Sequence, residues 1–194
     1  MTIPDRREAA RLLRSLEPPA WFLRHSCAVA DVASWLAARG QVRGARLDRA
    51  AVEAGGLLHD VDKLPKAHMV GRRHGDGSAA WLQAAGHGEL APLVRDHPVT
   101  RLAEDGYPGW LASASPEARI VAYADKRAGQ HLESMDARFA SWRRRYPDGW
   151  DAATEALVRT RAQELEAAVC SLAGVRPGDV RRLRWSRRAL EEAA

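Results

Sequence analysis

Ala50-Ala51-Val52-Glu53-Ala54-Gly55-Gly56-Leu57-Leu58-His59-Asp60 is an apolar run that ends in an imidazole and a carboxylate side by side. That pair makes a poor packing surface. It is a good pair for a divalent metal, because imidazole nitrogen and carboxylate oxygen are both ligands of first-row metals. Asp48 can N-cap a helix over about 49–60, on which Val52, Gly55 and His59 share one face. Gly55-Gly56 lowers the helix propensity by about 1 kcal/mol per glycine relative to alanine. Such a loss is tolerable where another helix or a ligand has to approach the backbone closely. The stretch therefore predicts a helix that carries His59 and Asp60 inward.

Working outward, the pattern is helical throughout. Strand-like alternation is scarce, and alanine, leucine and arginine dominate, which predicts an all-α fold. Residues 5–16 read as a short helix ended by Pro18-Pro19, and a second runs over about 20–39 to Gly40. Its seam of Phe22, His25, Val29, Val32 and Leu36 turns His25 to the core. Residues 61–75 read as a basic, irregular loop over the site. Helices follow at about 76–85 and 88–97, the latter with His97 on its apolar face. Asp105-Gly106-Tyr107-Pro108-Gly109-Trp110 reads as a loop in which tyrosine packs.

Ser115-Pro116-Glu117 opens the most informative helix. Its seam, Val121, Asp125, Ala128, Leu132, Met135, Phe139 and Trp142, predicts one continuous helix to about 142 with an aspartate on its buried face. A buried carboxylate must be paired, protonated or bound to a cation. At this point an arginine partner and a metal are both open. After Pro147-Asp148-Gly149 a long helix is expected over about 151–173, followed by an arginine-rich segment from Pro177.

The 194 residues suggest one domain, with a core at about 20–142 and a C-terminal helical extension at about 151–194. Apolar residues at 46% and charged residues at 28% suit a globular protein. No apolar run approaches the roughly 20 residues of a membrane span, and no signal segment opens the chain, so the expectation is a cytoplasmic protein without a membrane partner. Cys27 and Cys170 read as small buried hydrophobes. The net charge of +5 suits either nucleic acid or a phosphorylated small molecule. Arg143-Arg144-Arg145 and the C-terminal arginines have no recognised nucleic-acid module beside them, so nucleic acid is not the expected partner.

The core-facing polar residues are His25, His59, Asp60, His97 and Asp125, with His74 at a loop-to-helix junction. Helical bundles build metal sites in this way, one ligand from each facing helix. Their order and contexts, Arg24-His25-Ser26, Leu57-Leu58-His59-Asp60-Val61-Asp62-Lys63 and Ala124-Asp125-Lys126, resemble the HD superfamily of metal-dependent phosphohydrolases. The likeness covers about residues 20–140. It departs at Asp62, where the family signature usually has a small residue. His74 in Arg73-His74-Gly75 and His97 in Asp96-His97-Pro98 make the chain similar to the dinuclear branch that splits dinucleoside tetraphosphates symmetrically. Asp105-Gly106-Tyr107-Pro108 echoes the HD-GYP branch, but that branch's paired histidines are absent, since Pro98 follows His97.

The resemblance implies a helical bundle in which His25, His59, Asp60 and Asp125 hold one metal. His74 and His97 would hold a second, with Asp60 bridging. The alternative is a mononuclear site in which those two histidines bind phosphate. Iron or manganese suits this set best; cobalt, nickel, magnesium or zinc are also compatible. The implied reaction is metal-activated hydrolysis of a nucleotide-type phosphoester or phosphoanhydride, with Asp60 and Lys63 as catalytic residues. Lys63, His68, Arg72, Arg73 and Lys126 are the candidate phosphate ligands. His87 and His131 are read as inert or peripheral. A metal-dependent nucleotide sensor without turnover is the second reading, and a homodimer is compatible with either.

Overall fold

The computed structural model describes residues 3–129, 132–146 and 149–183, and these residues form an all-α fold without strands. α1 (Arg6–Ser15) starts with a capping box, in which Asp5 and Glu8 each accept from the other's backbone N–H. α2 (Ala20–Val42) follows Pro18-Pro19, and α3 (Arg49–Leu58) is N-capped by Asp48 through Ala51 N. α2 runs through Gly40, where the sequence suggested a stop. A Cβ there would lie 2.8 Å from Leu47 Cδ1, so this glycine makes room for the returning chain.

α2 and α3 cross at Gly56. A Cβ on Gly56 would lie 2.7 Å from the Ala30 Cα, closer than real contacts allow. Gly56 is thus explained by backbone approach, as the sequence implied, whereas a Cβ on Gly55 would meet only side chains, 3.4 Å from Val121 Cγ2. Residues 61–75 form the loop, containing short 3-10 turns at Val61–Lys63 and Pro65–Ala67. α4 (Asp76–Ala84) comes next. The helix expected over 88–97 is instead a 3-10 turn, Gly88–Leu90, followed by the short α5 (Ala91–Val94), with His97 beyond it. The loop expected at 105–110 gives way to α6 (Tyr107–Ser113), which has proline in its first turn; Tyr107 packs in the core at 3% exposure.

α7 (Pro116–Arg127) and α8 (Met135–Arg145) replace the single helix predicted from the seam. Ala128 turns extended and pairs with Leu132, and Glu133 N donates to Arg127 O at 2.8 Å. Ser134 then caps α8 through Ala137 N. The break is locked by Arg127, only 1% exposed, whose Nε donates to Glu133 O and whose Nη2 donates to Pro177 O. Its Nη1 pairs with Glu166 on α9 (Ala152–Ala173) at 2.8 Å. α9 ends at Gly174 in the left-handed conformation, φ 64°, and α10 (Pro177–Val180) follows.

Two apolar clusters form the core. One lies between α2, α7 and α9, and the other packs α1 against α3, α4 and α5. Both free cysteines are buried. No helix among the described residues is long and apolar enough to cross a membrane. His131 and the arginines from Arg184 onward lie outside the described residues.

Candidate metal centre

Five places in the fold deliver side chains to one point. His25 comes from α2, His59 from the C-cap of α3, Asp60 from the next residue, and Asp125 from the last turn of α7. His74 precedes α4, and His97 follows α5. His25 Nε2 lies 3.1 Å from His59 Nε2, and Asp125 Oδ1 lies 3.4 and 3.6 Å from those two nitrogens. Asp125, for which an arginine partner stood open in the sequence, is faced by imidazoles.

Asp60 lies between two groups. Its Oδ2 is 3.4 Å from His25 Nε2 and 3.5 Å from His59 Nε2. Its Oδ1 is 3.2 Å from His74 Nε2 and 3.1 Å from His97 Nε2, and those nitrogens are 3.2 Å apart. His25, His59 and Asp125 have the spacing of a metal site, and so do His59, Asp60 and His97.

The tautomers follow from the partners on the far side of each ring. His59 Nδ1 donates to Gly56 O at 2.8 Å, and His97 Nδ1 donates to Val94 O at 2.6 Å. His74 Nδ1 donates to Asp62 Oδ1 at 3.0 Å. Each ring, when neutral, therefore turns an Nε2 lone pair towards the carboxylates. Lone pairs and carboxylate oxygens crowded together repel unless protons or a cation lie among them. The donor set, imidazole nitrogen with carboxylate oxygen, fits a divalent transition metal.

Protonation follows the same competition. Burial alone would raise the Asp60 carboxyl, but His59, Lys63 and the hydrogen bonds from His25 and His74 outweigh it and hold it well below the usual range. Asp125 is held low in the same way by His25 and His59. Burial pulls His25 down, yet Asp125 and Asp60 raise it to about 9. His74 is likewise raised to about 9 by Asp60 and Asp62 against its burial. His97, fully enclosed, is pushed down to about 4 by burial, with His59 and His74 adding repulsion.

The HD domain family model matches residues 22–129, more than half of the chain. The chain belongs to the HD-domain family. HD domains bind divalent metals and are generally metal-dependent hydrolases, and the His–Asp cluster here is the group that could hold the ion. No curated protein and no solved structure matches the chain.

The expected phosphate ligands separate. Lys63 donates to Asp60 Oδ2 at 2.7 Å and lines the cavity that opens over the HD cluster. Lys126 does not reach it. Lys126 is wholly buried, with Nζ donating to His97 O at 2.7 Å and to Ala122 O at 3.2 Å, because its place on α7 points into the protein beside Asp125. Arg73 is turned to the surface pair Asp76 and Glu104. His68 and Arg72 are exposed and lie outside the residues that line the cavity. His87 is half-buried between α4 and the Gly88–Leu90 turn.

Two residues have supporting roles that the sequence did not reveal. Asp62, the departure from the family signature, accepts from His74 Nδ1 and, through Oδ2, from Gly75 N at 2.8 Å. Its signal was that departure itself. Lys126 fastens the segment that carries His97. The cavity, about 570 Å³, is also lined by Glu133, Arg138, Trp142 and Trp150; the sequence reading had put Trp142 on a core seam and did not connect the other three with the site.

Proposed function

We propose that this HD-domain protein is a metal-dependent phosphohydrolase acting on a nucleotide-type phosphoester or phosphoanhydride, with two metal positions that share Asp60. The observation that carries this reading is the division of the Asp60 oxygens between two imidazole pairs. His25, His59, Asp60 and Asp125 would hold one ion. His74 and His97, with the second Asp60 oxygen, would hold the other.

Bound divalent metal supplies Lewis-acid polarisation of a phosphoryl oxygen and activation of water at neutral pH. The protein's own groups do the rest. Gly56 O, Val94 O and Asp62 fix three imidazoles in one orientation each, so the donors are set before substrate arrives. Lys63, on the cavity wall, has its ammonium within reach of a phosphate near Asp60. Burial pulls Lys63 down, but Asp60 and Asp125 raise it, so the amine stays charged at neutral pH and able to hold a non-bridging oxygen. Among the candidate metals, iron and manganese suit these ligands best.

The test is a panel of mononucleotides, cyclic nucleotides and dinucleoside polyphosphates with added manganese, iron, cobalt or nickel, scored by phosphate release and product mass. Metal-dependent release that is lost in Asp60→Ala is expected. Release that survives both Asp60→Ala and chelation would contradict the reading. Tight nucleotide binding without turnover would favour the sensor.

A further inference from the structure

We infer that Arg138, Trp142 and Trp150, with Glu133 beside them, form a base-recognition subsite that takes the planar ring of a nucleoside phosphate. This rests on the phosphohydrolase reading for where the phosphates go. What points to the ring is separate from the metal cluster.

One cavity of about 570 Å³ is lined both by His25, Asp60, Lys63, His74 and Asp125 and by this aromatic, arginine-bearing wall. That volume suits a small-molecule ligand. Arg138 is only 9% exposed, and its Nε is buried without a hydrogen-bond partner. The Glu133 Oε2 is likewise buried and accepts no hydrogen bond; it forms only an ion pair with Arg138 Nη1 at 3.7 Å. An unsatisfied buried donor near an unsatisfied buried acceptor is unfavourable, and a ligand edge would satisfy both once the two side chains turn into the cavity that they line. Nucleobase edges place acceptors beside donors in this way.

A phosphate presents acceptors alone, and the wall does not suit one. Glu133 stands beside Arg138, and Glu155 pairs with Arg143, so these arginines are largely neutralised. The flat surface is also prepared. The Arg138 guanidinium lies 5.0 Å from the Trp142 ring centroid, and Phe139 meets Trp142 edge-on at 5.1 Å. Arg159 covers the Phe139 ring at 4.5 Å, which fixes the stack from behind. Stacking on aromatic side chains and on guanidinium planes is how proteins hold unpaired bases. Glu133 is held in register by both its backbone hydrogen bonds to Arg127.

The experiment uses the full manganese-loaded chain with the four nucleoside 5′-monophosphates and ribose 5-phosphate, read by titration calorimetry and by phosphate release. The wild type should bind at least one nucleoside monophosphate ten-fold or more tightly than ribose 5-phosphate. Trp142→Ala and Arg138→Gln should close that gap with metal content retained, while Trp142→Phe restores most of it. No gap in the wild type, or a gap that survives both substitutions, overturns the subsite. If no phosphate is released from any compound but the calorimetric gap still depends on Trp142, the subsite stands and the hydrolase reading fails. Release with equal affinity for all five compounds does the reverse, keeping the hydrolase and removing the subsite.

Discussion

Oδ1 and Oδ2 of Asp60 lie among different imidazoles, and the rings around them are set by groups one step further out. Asp62 is the clearest of these, because it holds His74 through Nδ1 and clamps Gly75 N as well. Asp62→Ala should weaken metal binding at the His74–His97 side by about 10- to 100-fold. Competition titration with a fluorescent chelator measures this, and an unchanged affinity would remove Asp62 from its positioning role. Protons and metal compete for the same lone pairs. His25 and His74 are both raised to about 9, so at neutral pH each must release a proton before its Nε2 can bind a cation. Apparent metal affinity should therefore climb from pH 6 to about 9 and level off above, while a profile flat across that range would contradict the protonation scheme. The meeting of histidines and carboxylates was legible in the sequence because an acid on an apolar seam demands a partner. Lys126 was not, because its neighbour Asp125 looked cavity-facing and nothing in a helical pattern says that the next residue reaches back to a carbonyl.

The crossing of α2 and α3 and the break between α7 and α8 decide where those residues go. Gly56 was readable as a point of close approach, and the partner turned out to be the Ala30 backbone. Gly56→Ala would gain helix propensity but force that crossing apart. A net loss of about 1–3 kcal/mol is expected. For a chain of this size that corresponds to a fall in melting temperature of a few degrees per kcal/mol. A melting temperature that rises would show that the helices can separate freely. The break after Arg127 was misread because seven positions kept helical spacing across it. Ser134-Met135-Asp136 did carry a start signal, an N-cap followed by an acid in the first turn, but a local cap cannot be distinguished from a mid-helix serine while the apolar seam continues. What ends α7 is long-range: Arg127 is tied to Glu166 and Pro177, far along the chain.

At the scale of the whole molecule, the helical fold was legible from composition and spacing, and the cavity was not, because its wall depends on α8 being a separate helix. The cluster joins α2, α3 and α7 with the segments around His74 and His97, so a bound cation stabilises all of them together. Removing metal with a chelator should lower the melting temperature, and restoring manganese should recover it, since a ligand held only by the native state stabilises that state by mass action. The most direct measurement is the metal content of the purified chain after reconstitution with manganese or iron, read by elemental analysis with circular dichroism to confirm folding. Two ions per chain are expected in the wild type, one in His97→Ala and essentially none in Asp60→Ala. A folded wild-type chain that retains no metal, or an Asp60→Ala chain that retains two, would contradict a metal centre shared through Asp60.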